Sequence, residues 1–138
     1  MGAIALAAQT VPAETVRTTA MVGIATGQTA RLNLLNPGIL PPAPGVVCTA
    51  AVTYLDGAGN VRKSVTVTVD PGKSVPVDLH SDADLSLAPA SRLEIRATIV
   101  TTSATTAVPA CKLIPTLEIF DSITGRTQAV VGKVETVN

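Results

Sequence analysis

Side chains that could do chemistry are sparse along these 138 residues: one His, two Cys, one Tyr, one Phe and no Trp. His80-Ser81-Asp82-Ala83-Asp84 is the only run where an imidazole stands beside carboxylates. Imidazole and carboxylate oxygens are metal donors, and an acidic loop between strands is a common calcium site. The same residues also read as a solvated loop whose Asp side chains cap turns, and that is the expectation, with no metal at His80, Asp82 or Asp84. Asp56-Gly57-Ala58-Gly59-Asn60 opens like a calcium loop but lacks the later bidentate Glu, and turn chemistry accounts for it.

No Gly-x-Ser-x-Gly elbow occurs, and His80 has no obvious Ser partner for nucleophilic catalysis. Gly27 and Gly72 are isolated turn glycines, and neither opens a phosphate-binding loop. Arg126 is expected to pair with Asp121 or Glu118. Tyr54 and Phe120 are expected in the core, because a sugar platform needs several exposed rings. Catalytic residues, cofactors and metals are therefore expected to be none, and the chain is not read as an enzyme.

Cys48 and Cys111 have no nearby His or Cys to complete a zinc site. An even pair in a strand-rich chain points to a disulfide, with two separate buried thiols as the other reading. Each is expected to begin a strand whose next inward residues are apolar, so a bridge would join facing strands.

The elements around these residues follow from composition. Hydrophobic residues make up 46% and charged residues 14%, too apolar for a disordered chain and too charge-poor for a well-solvated monomer. Part of the surface is expected to be covered. The formal net charge is zero and the basic residues are scattered, which argues against nucleic-acid binding. No apolar run is long enough for a membrane-spanning helix.

Alternation with period two, cut by Gly and Pro, predicts an all-β chain of about eight strands. They are Val16 to Ile24, Thr29 to Asn36, Val46 to Leu55, Val61 to Val69, Ser74 to Leu79, Arg92 to Thr101, Cys111 to Asp121 and Gln128 to Val137. The proline-rich stretch Pro37 to Gly45 reads as a stiff crossover. Regular turn spacing without helical periodicity points to an antiparallel sandwich of the immunoglobulin-like kind, residues 13–138. Thr18, Thr66, Thr68, Thr98, Thr101, Thr102, Thr105 and Thr106 are expected on outward faces, from β-propensity, glycosylation or packing between subunits.

Residues 1–12 form an extension. Met1 to Gln9 looks like the end of a secretory signal without a basic n-region. Read as a strand, it places Ile4, Leu6 and Ala8 on one side.

Gly27 to Gly38, Cys48 to Asp56, Asp70 to Ser74 and Cys111 to Thr127, with its Leu117-Glu118-Ile119-Phe120-Asp121, together resemble small secreted β-sandwich proteins of environmental bacteria. The likeness spans about residues 16–131. It implies a secreted chain with a Cys48 to Cys111 bridge, and it implies no activity.

Two functions fit these observations. The first is a structural subunit of an extracellular filament or surface assembly, a homopolymer built by strand addition, in which Ile4, Leu6 and Ala8 enter the next copy. The second is a monomeric secreted or periplasmic binding or adhesion module using the Pro37 to Gly45 and His80 to Ser91 loops.

Overall fold

A computed structural model describes residues 2, 13–38, 45–103, 111–132 and 134–137. Ten strands are present: β1 (Ala13–Thr19), β2 (Val22–Ala25), β3 (Gln28–Leu35), β4 (Cys48–Asp56), β5 (Val61–Val69), β6 (Ser74–His80), β7 (Arg92–Ser103), β8 (Ile114–Asp121), β9 (Thr127–Val131) and β10 (Val134–Val137). The described residues contain no helix. All strand pairs are antiparallel, and they form two sheets. One sheet has the order β10-β1-β7-β4-β5, with β2 also paired to β7; the other has the order β6-β3-β8-β9. The expected antiparallel sandwich is present, although these strand orders do not by themselves establish immunoglobulin connectivity.

Alternation builds the core from both sheets. β4 turns Cys48, Ala50, Val52 and Tyr54 inward, and β7 adds Ile95, Ala97 and Ile99. Facing them are Leu32 and Leu34 of β3, Val77 and Leu79 of β6, and Leu117 and Ile119 of β8. Leu85, from the loop after β6, and Leu113, ahead of β8, pack against the same cluster. These β-branched and aliphatic side chains suit a half-buried pleated surface, which is why the pattern folds as strands.

Two turns follow directly from local sequence. In Asp70-Pro71-Gly72-Lys73 the Lys73 N–H donates to the Asp70 carbonyl at 3.0 Å, and Gly72 has φ +75°. Proline followed by a residue of positive φ is the type II turn pattern. Between β4 and β5 the Gly59 N–H donates to the Asp56 carbonyl, and Gly59 takes φ +83° beside a register shift. Such a bulged hairpin loop is glycine chemistry.

The structure corrects several sequence boundaries. Val16 to Ile24 is two strands because three residues, Thr19 to Met21, stand opposite two on β7. The extra residue reverses the parity, so Arg17 and Ile24 both point to the inner side. It also leaves the Ala97 N–H without a strand partner, and the buried Thr19 hydroxyl accepts it at 2.9 Å. Gln128 to Val137 is likewise two strands, with β9 and β10 in different sheets on either side of Gly132. β4 begins at Cys48 instead of Val46, and Cys111 lies ahead of β8, which starts at Ile114. Thr101 is on the inner side and 7% exposed, because β7 continues the alternation through Ser103. Thr105 and Thr106 lie outside the described residues.

Candidate functional site

The only imidazole meets hydroxyl groups. His80 ends β6 and pairs in register with Thr29 on β3. The Thr29 hydroxyl lies 3.2 Å from His80 Nδ1 and 2.7 Å from the Ser122 hydroxyl. A Ser–Thr–His chain of this kind puts a second alcohol between base and nucleophile, so the imidazole does not reach Ser122 directly. Asp84 turns back on the loop: its Oδ2 accepts the His80 N–H at 2.7 Å and Lys63 Nζ at 3.2 Å. Burial pushes the Asp84 carboxyl up, but the His80 amide and Lys63 outweigh it and leave it below the usual carboxylate range. Asp82 is exposed, and its main-chain carbonyl accepts the Ser86 N–H. Among the described residues no three His, Cys, Asp or Glu side chains are grouped to hold a metal ion.

The remaining candidates are structural. The Asp56 carboxylate accepts the Asn60 and Ala58 N–H groups and faces Arg62 at 3.3 Å, which lowers its pKa through the Asn60 amide first. Asp121 accepts the Thr124 and Ile123 amides of its own turn and is lowered for that reason. Neither Asp121 nor Glu118 forms an ion pair with Arg126, contrary to the sequence expectation. The turn amides satisfy Asp121, and Glu118 faces Arg31 and Asn33 across β3. Tyr54 is a core residue, but Phe120 is not. Phe120 lies on the outer face of the second sheet under the Arg31 guanidinium, 5.2 Å from the ring centroid. Arg31 is also held by a bidentate pair with Asp78 at 2.8 Å.

Cys48 and Cys111 form the expected disulfide, with Cα atoms 5.6 Å apart. The bridge ties the start of β4 in one sheet to the approach to β8 in the other. Ile4, Leu6 and Ala8 lie outside the described residues.

Asn36, expected from sequence only as the last residue of the strand Thr29 to Asn36, is 4% exposed and fully used. Its Nδ2 donates to the carbonyls of Val46 at 2.7 Å and Val69 at 3.0 Å, and its Oδ1 accepts the Gly38 N–H. One side chain thus closes the end of the sandwich where β3, β4 and β5 meet. An Asn before Pro-Gly signals a turn without revealing that neighbouring strands end there.

The flank of the sandwich at β5 differs from the core. β5 is the outermost strand of its sheet, with β4 on one side and no strand on the other among the described residues. It runs for nine residues without proline. Val69 is fully buried, but Val65 and Val67, facing the same way, are only half-buried against the core. Opposite them the edge strand β6 leaves Val75 half-buried in the same manner. A shallow cleft of about 450 Å³ lies on the other flank, lined by Arg17, Leu113, Ile114 and Val134 among others. The Arg17 guanidinium there donates to the Leu113 carbonyl at 2.6 Å.

Compared with protein-family models, curated proteins and solved structures, the chain gives no match.

Proposed function

We propose that this chain is a structural subunit of an extracellular assembly that polymerises by strand addition. Residues Ile4, Leu6 and Ala8 of one copy lie along β5 of the next. The observation that carries this reading is the half-burial of Val65 and Val67. They face inward on a nine-residue strand that has no hydrogen-bonded strand on its far side among the described residues, where only the Lys63 side chain bridges to the Asp78 carbonyl of β6. A further strand would therefore add to both their burial and the main-chain pairing. The period matches: alternate apolar residues at 4, 6 and 8 span the same length as Val65, Val67 and Val69.

Reach favours a neighbouring copy as the acceptor. β1 begins at Ala13, and the open flank of β5 lies beyond β7, β4 and β5, four strand spacings away, or about 19 Å. The chain from Ala8 to Ala13 spans at most about 17 Å when fully extended. A contact in which one surface meets a different surface of the next copy propagates into a filament instead of closing.

The test is size-exclusion chromatography with light scattering on the full chain and on a chain lacking residues 1–9. The full chain should give large, concentration-dependent species, and the deletion should leave species of one or two chains with unchanged strand content. Polymer formation without residues 1–9, or a full chain that stays monomeric at all concentrations, would overturn the proposal.

A further inference from the structure

We propose that the cleft beside β1, β8 and β10 binds a small organic carboxylate, with Arg17 and Lys112 taking the anion and the apolar lining taking its carbon body. The site lies on the flank away from β5 and does not depend on strand addition.

Arg17 is the residue that calls for a ligand. It stands opposite Ile99 of β7, a core residue, and so shares the inner side of its sheet. It is half-buried, and the one acceptor it meets among the described residues is neutral, the Leu113 carbonyl at 2.6 Å. A guanidinium partly withdrawn from water is stabilised far more by an anion than by a carbonyl. No described carboxylate supplies that anion, and Arg17 is absent from the ion pairs of the described residues. Glu14 and Glu135 belong to the same strands but to the other side of the sheet: Glu14 is three positions from Arg17 on β1, and Glu135 stands opposite Thr18 while Thr136 stands opposite Arg17.

The geometry of the guanidinium suits a carboxylate. Nη1 is the nitrogen that donates to Leu113, which leaves the edge formed by Nε and Nη2. That is the edge by which Arg31 grips both oxygens of Asp78. The Leu113 contact also fixes the side chain beforehand, so less rotamer freedom is lost on binding. Lys112 brings a second cation to the cleft; it is exposed and makes no hydrogen bond or ion pair among the described residues. No acidic side chain is among the described lining, and Pro37, Ile114, Pro115 and Val134 make much of the rest apolar. A hydrated inorganic anion gains nothing from that apolar lining, and a neutral apolar molecule gains nothing from the cations. A carboxylate on a hydrocarbon body uses both, and about 450 Å³ is a volume that small ligands fill.

The test titrates the full chain with hexanoate at constant ionic strength and follows main-chain amide shifts by two-dimensional NMR. The amides of Lys112, Leu113, Ile114 and Val134 should move together along one saturating curve. Hexanamide, which keeps the body without the charge, and acetate, which keeps the charge without the body, should each bind at least about tenfold more weakly. Arg17→Gln should weaken hexanoate binding at least about tenfold, and Arg17→Lys should not restore it, because an ammonium lacks the fork. Arg17 also ties β1 to Leu113, so the exposed Lys112→Gln keeps the test independent of folding; it should weaken binding about two- to fivefold. Arg126→Gln, beyond the far end of β8, should leave binding unchanged. Absence of saturable shifts at these amides, acetate binding as well as hexanoate, or hexanoate binding unmoved by Lys112→Gln would overturn the inference.

Discussion

The Tyr54 hydroxyl, on β4, donates a 2.6 Å hydrogen bond to the main-chain carbonyl of Val77, on β6 in the facing sheet. The same oxygen accepts the Leu32 N–H at 3.1 Å, and the ring is 0% exposed. One phenol therefore joins three strands across the core. Tyr54→Phe keeps the ring but strips that partner from two buried main-chain groups, a loss of about 1–3 kcal/mol. Urea unfolding should show a lower midpoint with an unchanged slope. Burial also pushes the hydroxyl well above its ordinary pKa. Because the folded-state value is the higher one, this contribution is intact below about pH 10 and is lost as pH rises beyond it. Tyrosinate absorbance should accordingly appear together with alkaline unfolding and not before it.

Asn36→Asp tests the latch at the other end. The carboxylate would face the carbonyls of Val46 and Val69, to which the amide now donates. An unpaired buried charge against two acceptors should cost more than about 3 kcal/mol at neutral pH. Thermal melts should show Asn36→Asp well below Asn36→Ala, and equal melting temperatures would argue against the latch.

The Cys48–Cys111 bridge closes a loop of 63 residues. In the chain-entropy description this contributes about 4 kcal/mol. Replacing both cysteines by Ala should lower the denaturant midpoint accordingly while leaving strand content intact, as read by circular dichroism.

Period-two alternation was enough to place most strands of this fold. Val61–Val69 matches its expected bounds, and Leu93, Ile95, Ala97 and Ile99 point inward as their spacing requires. Places where one extra residue resets the parity were not legible. At Thr19 to Met21 the hydrophobic pattern runs on unbroken, and only pairing with β7 reveals the bulge. Phe120 was misplaced for a related reason: its hydrophobicity suggested the core, while its register beside Thr29 assigns it to the outer face, where Arg31 covers it. Side chains whose role depends on distant strands, such as Asn36 and Thr29, carry no local sequence signal of that role. The half-buried flank at β5 was invisible as well, because being an edge is a property of sheet order.

Acid should destabilise this protein through identifiable turns. Asp56, held low by the Asn60 amide first, and Asp121, held low by the Thr124 amide first, each have a folded-state pKa below the unfolded value. Such groups contribute stability above the unfolded carboxylate pKa of about 3.9, and that contribution is lost as pH falls through their lower folded values. Melting temperature should therefore be flat near neutrality and fall below about pH 4. Asp56→Asn should flatten part of this acid limb, and an unchanged pH profile would show that the Asp56 turn does not contribute.

If β5 is the acceptor, the donor should work when supplied separately. A synthetic peptide of residues 1–12 added to the chain lacking residues 1–9 should raise its melting temperature with peptide concentration, by the linkage that binding to the native state imposes. At a hundredfold excess over Kd the gain is about 2.7 kcal/mol. The same peptide with Leu6→Asp should do far less, since it brings a carboxylate against Val65 and Val67. Placing the charge on the acceptor instead, as Val67→Asp, should abolish the response to the parent peptide. Hydrogen exchange locates the contact: added peptide should slow main-chain amides of Val61–Val69 and leave those of β9, the edge of the other sheet, unchanged. Protection appearing on β9, or no rise in melting temperature at any peptide concentration, would show that β5 does not receive this strand.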